Sequence, residues 1–470
     1  MKFTTDIIIG LEVHCELRTA TKLFCSCPTH GFGGPNTRTC PTCLGMPGAK
    51  PVLNRKALEH AAKICLALKS SIANGLIFSR KSYFYPDMSK NYQITQYELP
   101  LGTGGNLSLE NGKTICMKRI HLEEDPASLV HVGSMQSAPF VLVDYNRSGN
   151  PLVEMVTEPD MHSPEEARDF MRQLIKVLDY LGVFDQNTGI IKADANVSIK
   201  ESHYSRVEIK NITGFREIER ALNYEVARQR KESAEGRAIA QETRSWDAET
   251  GATFSLRKKE TEEDYGYIID ADLVPIEVTK EYIAKLRAGI PELAQEKLRK
   301  FREEHGIEET TAHVLAKDKE LAAMYEAVSR EVDPQLTANW VRRELPRVLH
   351  HSKKTLGESG ITPEHMIALL SLIEQKKITE KTGQRIIGEL GEKLFDVEEH
   401  VKKEGLGIVS DSSLVEQWCR EAIGENPGVV EDYGKGNEKS FNFLVGQAMR
   451  KGKGKADPKD VNETLRKLLR

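Results

Sequence analysis

The sequence predicts an α+β protein built from more than one domain, and three observations carry that reading. Up to about residue 290, strand-like and helix-like apolar periods are mixed, with Gly and Pro punctuating the changes. Beyond that point the pattern is almost wholly helical, and a second break falls near 402–407. The 470 residues, 39% hydrophobic and 29% charged, are enough for several cores and too apolar for a disordered polymer. The expected division is 1–290, 291–402 and 403–470. A net charge of −4 and a mean hydropathy of −0.45 accompany the absence of any apolar run near the ~18 to 20 residues of a membrane span. Near the N-terminus only Ile7 to Ile9 form an apolar run, so no secretory segment is read and the expected location is the cytoplasm. Eight cysteines are too few for a disulfide scaffold.

The elements follow in order. Residues 7–17 read as a strand, because Leu11, Val13, Cys15 and Leu17 alternate with Glu12, His14 and Glu16. Next come Cys25-Ser26-Cys27 and Cys40-Pro41-Thr42-Cys43, twelve residues apart across a Gly-rich loop. Two close thiolate pairs suit a tetrahedral structural Zn²⁺, which leaves no open position for substrate. Replacement of one thiolate by His30, or dithiol redox chemistry, is the alternative. The segment 80–93 interleaves Arg80, Lys81 and Lys90 with Tyr83, Phe84, Tyr85 and Tyr92. That mixture suits nucleotide phosphates and bases, and equally an amphipathic packing loop.

Strands are expected over 118–124 and 140–144, then a helix over 164–181. Ser163 caps it, Pro164 takes the first turn, Glu166 completes a capping box and Gly182 ends it. Its buried stripe is Phe170, Leu174, Val177, Leu178 and Leu181. Strict alternation over 190–200 places Lys192, Asp194, Asn196 and Ser198 on one side, and over 206–210 Glu208 and Lys210 share a face. Joined as a hairpin these form a wall of acids, an amide and lysines, or else a plain solvated face. The charged run 257–264 reads as a surface loop, and helical windows follow at 281–287, 312–331 and 363–374. Residues 450–470 hold eight Lys/Arg against three Asp/Glu, a patch able to contact phosphates or simply to be solvated.

Two acids stand on apolar faces: Glu124 with Ile120 and Leu122, and Glu154 with Leu152 and Val156. A carboxylate there must find a cation, a hydrogen-bond partner or a proton. Glu12 and His14 can chelate together, and oxygen-rich ligation suits Mg²⁺. There is no phosphate-binding Gly-x-x-x-x-Gly-Lys-Ser/Thr loop and no nucleophile elbow.

At these residues the chain resembles the B subunits of the aspartyl/glutamyl-tRNA amidotransferases. The resemblance runs collinearly through Ile9-Gly10-Leu11-Glu12-Val13-His14, Tyr83-Phe84-Tyr85-Pro86-Asp87, His121-Leu122-Glu123-Glu124-Asp125, Asp144-Tyr145-Asn146-Arg147 and Pro151-Leu152-Val153-Glu154. It continues through Asp194-Ala195-Asn196-Val197-Ser198, Glu208-Ile209-Lys210-Asn211, Gln241-Glu242-Thr243-Arg244 and Phe443-Leu444-Val445-Gly446-Gln447. It implies a cradle-shaped catalytic domain, a helical domain and a small helical tail. It also implies ATP-dependent phosphorylation of the side-chain carboxylate of Glu or Asp mischarged on tRNA, followed by displacement of phosphate by ammonia.

By the same resemblance Glu12, His14, Glu124 and Glu154 hold Mg²⁺, and Lys81 and Lys90 hold the ATP phosphates. Asp194, Asn196, Glu208 and Lys210 line the substrate or ammonia path, while Lys451, Lys453 and Lys455 contact tRNA. The implied partners are the amidase, or A, subunit of the enzyme and its small C subunit, which make a heterotrimer with this chain. Zinc at Cys25, Cys27, Cys40 and Cys43 rests on spacing alone. Two other classes stay open: a zinc-stabilised, non-catalytic tRNA-binding adaptor, and a free-standing ATP-dependent carboxylate–amine ligase.

Overall fold

The first strand, β1 (Ile7–Glu16), lies in the middle of the main sheet. The computed structural model describes residues 5–131, 138–185, 188–258, 265–408, 412–434, 436–452 and 456–469. The chain divides into two compact units, Met1–Leu293 and Ala294–Arg470.

In the first unit β1 is joined by β2 (Thr114–Glu124), β3 (Pro151–Thr157), β4 (Ile191–Ile199), β5 (Val207–Thr213), β6 (Glu242–Asp247) and β7 (Ala252–Lys258). Their order across the sheet is β7-β6-β5-β4-β1-β3-β2, and the two-residue strands Gly102–Thr103 and Ser71–Ile72 continue it beyond β2. Neighbours are antiparallel except β5 and β6, which run parallel. A parallel pair needs a crossover long enough to return the chain. The helices that pack on the sheet include α1 (Arg55–Ala67), α2 (Pro164–Leu181) and α3 (Phe215–Ala234). The last of them is that crossover.

Strand alternation decides which side faces the helices. Leu11, Val13 and Cys15 of β1, Leu122 of β2, Val153 and Met155 of β3 and Ala195 and Val197 of β4 share one apolar cluster with Leu58, Phe170, Leu174 and Leu222 of the helices. Each buried aliphatic side chain of this kind contributes about 1.5 to 3 kcal/mol. The opposite face is thereby left to the even-numbered residues of β1 and β4.

Helix α2 starts and stops as expected, with one shift. Ser163 Oγ accepts from Glu166 N at 3.2 Å, and Gly182 is left-handed at φ 66. The Glu166 carboxylate, however, accepts from the N–H of His162 at 2.7 Å, not from the cap residue, because it is also drawn to Lys113 Nζ at 2.7 Å. Of the charged run 257–264, Arg257 and Lys258 extend strand β7, and 259–264 lie outside the described residues. The strand expected over 140–144 spans Val141–Asp144 and pairs with Ser128–His131.

The second unit is helical. The window 312–331 is two helices, Glu309–Lys317 and Lys319–Val328. They break at Asp318, whose carboxylate accepts from Glu320 N at 2.9 Å and Leu321 N at 3.0 Å and so caps the second helix. Pro363–Glu374 is a helix as read. Within this unit one apolar cluster runs from Phe301 to Leu406 and another from Val415 to Leu465. No described helix is long and apolar enough to cross a membrane.

Candidate active site

Sheet register gathers the polar face. His14 on β1 stands opposite Glu154 on β3, and Glu154 stands opposite His121 on β2. His14 Nε2 lies 3.5 Å from Glu154 Oε2 and 3.5 Å from Glu123 Oε1, and His121 Nε2 lies 3.3 Å from Glu154 Oε2. One ligand atom each from His14, Glu123 and Glu154 falls within 4.8 Å of the others, a spacing that can hold a metal ion.

The electrostatics of this trio are mutual. Burial works to raise Glu154, but His121 and His14 outweigh it and hold the carboxyl well below its usual range. Burial likewise works against His14, and Glu154 and Glu123 overcome it, raising the imidazole to about 10. The nest therefore demands positive charge. His121 Nδ1 is buried without a hydrogen-bond partner, a further polar atom that the protein alone leaves unsatisfied.

The neighbouring rows continue the face. Glu12 is opposite Asp194 on β4, and its Oε1 accepts from Asn196 Nδ2 at 3.0 Å. Burial, then Glu154 and Glu208, push its carboxyl above the ordinary value. Asn196 in turn is opposite Glu208 on β5, which accepts from Thr243 Oγ1 at 2.7 Å. A bulge interrupts β4–β5 pairing here, with Asn211 left-handed at φ 66. The extra residue brings Lys210 Nζ to 2.7 Å from Asp194 Oδ2 and 3.8 Å from Glu208 Oε1. Against the effect of burial, those two acids keep Lys210 charged. Asp194, Asn196, Glu208 and Lys210 thus form one connected wall beside Glu12. Lys192, opposite His14, is held below the ordinary lysine range by burial and by Arg147.

Glu124 does not join the metal-sized nest to which the resemblance assigns it. Alternation turns it to the other face, where its carboxylate meets Lys90 Nζ and accepts from Ile94 N at 2.8 Å. Glu123, one residue earlier, takes the place beside His14. The signal that marks it is present in the strand itself, where His121 and Glu123 form a second alternating pair opposite in parity to Ile120, Leu122 and Glu124. Lys81 lies over the Tyr265 ring at 4.5 Å. Lys451 bridges Glu425 at 2.6 Å and Glu421 at 3.4 Å, so it is paired within its own module. Lys453 and Lys455 lie outside the described residues.

The four cysteines converge. Their sulfurs lie within 4.8 Å of one another, and Cys40 and Cys43 are 3.9 Å apart. Zn–S bonds of about 2.3 Å in a tetrahedron place sulfurs about 3.8 Å apart, so the donor set fits zinc. Hydrogen bonding from Cys25 leads the causes that lower Cys43 to about 5, opposed by burial and aided by Lys22. Lys22 is fully buried, with Nζ 3.7 Å from Cys43 Sγ. A buried cation at this place would balance the surplus negative charge of a zinc tetrathiolate.

Fold and site together define a catalytic α+β domain with helical modules after it in the chain. The GatB/GatE catalytic domain model matches residues 7–284, and the GatB domain model matches 322–469. The chain is 42% identical to the B subunit of the aspartyl/glutamyl-tRNA(Asn/Gln) amidotransferase of Carboxydothermus hydrogenoformans, over 99% of this chain and 98% of that one. It is also 42% identical to those of Haloquadratum walsbyi, over 98% and 97%, and Thermotoga maritima, over 98% and 98%. The chain belongs to this family of amidotransferase B subunits, which are components of a ligase.

Proposed function

We propose that this chain activates the side-chain carboxylate of Glu-tRNA(Gln), Asp-tRNA(Asn) or both, and then converts it to the amide. A carboxylate oxygen attacks the γ-phosphorus of ATP and ADP leaves. Ammonia then attacks the acyl carbon, inorganic phosphate leaves, and the surplus proton passes to the surrounding buffer. No protein nucleophile is needed, because the substrate supplies its own.

The observation that carries the reading is the nest of His14, Glu123 and Glu154 beside the Asp194–Lys210 wall. His14, Glu123 and Glu154, with Glu12 adjacent, would hold Mg²⁺, which when bound neutralises phosphate charge. Lys81 would bind phosphate oxygens, and Lys90, paired with Glu124 on the opposite face, would reach them only by leaving that carboxylate. Lys210 orients the carboxylate of the substrate, held in place by Asp194 and Glu208. Ammonia comes from the partner amidase, the A subunit, while the small C subunit makes the assembly a heterotrimer in the cytoplasm. Residues 1–290 form the catalytic cradle with its zinc loop, 291–402 a helical domain, and 403–470 the module that grips tRNA through Lys451, Lys453 and Lys455. Surface ion pairs such as Lys451 with Glu425 are weak, so exchange for a phosphate is easily made.

The test is ADP release by the complex reconstituted with the amidase and the small partner, given ATP, Mg²⁺ and ammonium. Release that only a mischarged tRNA stimulates, and that Glu154→Ala lowers by about a hundredfold, is expected. Binding of tRNA with no ADP release under any tRNA overturns the proposal and leaves the zinc-stabilised adaptor.

A further inference from the structure

We propose that the cysteine knuckle is a positioning element for Lys90, with Gly45 as its point of contact. The knuckle helix Pro41–Leu44 ends at Gly45, left-handed at φ 69. A Cβ on Gly45 would stand 2.2 Å from Lys90 Cγ and 3.2 Å from Lys90 Cα, so only glycine lets the lysine stem lie against the turn. The knuckle is also bound to the residue before that lysine, since Cys43 O accepts from Ser89 Oγ at 2.9 Å.

The same carbonyl accepts from Ser148 Oγ at 3.4 Å, and Lys22 Nζ, 3.7 Å from Cys43 Sγ, ties the knuckle to Tyr145 O at 3.3 Å. The knuckle is thus fixed on one side and carries residues 89 and 90 on the other. Lys90 then extends to Glu124, on the strand face opposite the one from which Glu123 meets His14. A long flexible amine acts reproducibly only when its stem is held. The cysteines act through that stem. The packing stands by itself; its consequence for turnover rests on the proposed role of Lys90 at the ATP phosphates.

Gly45→Ala is tested against Gly48→Ala. Gly48 is also left-handed, at φ 84, but a Cβ there meets nothing within 4 Å, so it reproduces the backbone cost without the contact. In the full-length chain, acetic anhydride labelling of Lys90 is followed by peptide mass spectrometry. The Lys90 side chain is only 8% exposed. Labelling is expected to rise about tenfold in Gly45→Ala, to rise less in Ser89→Ala, and to stay at the wild-type rate in Gly48→Ala.

In the reconstituted complex, Gly45→Ala is expected to raise KM for ATP by about tenfold, and to add nothing to Lys90→Met. Zinc content measured on each variant shows that the knuckle is still loaded. Equal labelling in Gly45→Ala and Gly48→Ala, or independent losses in the Lys90→Met background, overturns the proposal. If the labelling contrast holds while wild-type complex releases no ADP, the positioning stands and the assigned activity falls.

Discussion

His14 and Glu154 face each other across adjacent antiparallel strands, Nε2 to Oε2 at 3.5 Å, and the same Oε2 also faces His121 Nε2 at 3.3 Å. One carboxylate oxygen is shared by two imidazoles that come from strands on either side of it. The arrangement explains both displaced titrations at once, because each group supplies the charge that stabilises the other.

Removing the shared acid therefore moves the imidazole. Glu154→Ala is expected to bring the His14 titration down from about 10 toward the ordinary 6.5, because burial then acts with less opposition. An NMR titration of the imidazole resonances reads it, and a midpoint that stays near 10 contradicts the pairing. The same variant is expected to lower ADP release by about a hundredfold.

Adjacent acids are expected to separate. Glu123→Gln weakens Mn²⁺ binding, used as a paramagnetic substitute for Mg²⁺, by about ten- to a hundredfold, whereas Glu124→Gln leaves it within about twofold. Electron paramagnetic resonance of free Mn²⁺ measures both. Equal losses at the two positions would place the cation between Lys90 and the nest, against the geometry.

Metal in the thiolate quartet is a matter of stability. Cys40→Ser, or prolonged chelation of the wild-type chain, is expected to remove zinc from the protein and lower the melting temperature of the first unit by several degrees. Element analysis and differential scanning calorimetry check the two together. Zinc retained after Cys40→Ser would point to His30 as a ligand.

Buried His60 gives the fold a pH dependence whose sign is fixed. Burial first, then the charge of Lys56, lower its pKa from 6.5 to about 4, and Nε2 lies 3.0 Å from Arg18 O. Between those values the unfolded chain binds the proton and the native chain refuses it. Its contribution is thus intact above about pH 6.5 and declines as the pH falls through that window, by about 3 kcal/mol at about pH 4. His60→Gln is expected to flatten this part of the profile in thermal melts at about pH 7, 6 and 5. A variant with the wild-type slope refutes the assignment.

What could be read from the sequence was whatever repeats locally. Alternation in β1 and β4 put Glu12, His14, Asp194 and Asn196 on polar faces, and the signals at Ser163, Pro164 and Gly182 bounded α2. Register could not be read that way. That His14 meets Glu154, far along the chain, and that Asn196 meets Glu208 across a bulge, follows from pairing of strands that only the assembled sheet specifies. Parity separates Glu123 from Glu124, yet the sequence-based expectation gave the cation to Glu124, because which parity faces the site depends on the helices packed against Leu122. Asp318 shows the converse limit, since an apolar period continued through it while its side chain favoured a new helix start.

The place of β1 in the sheet also sets a schedule. It leaves the ribosome well before its two neighbours, which end at Thr157 and Ile199. At about 5 to 20 residues per second, roughly ten to forty seconds of translation separate β1 from the completion of β4. For that interval the nascent strand has both edges open, and its run of isoleucines stays without the strands that cover its edges. No product that stops before β4 carries both His14 and the Asp194 wall, so a ribosome stalled in that interval releases a chain without the assembled polar face.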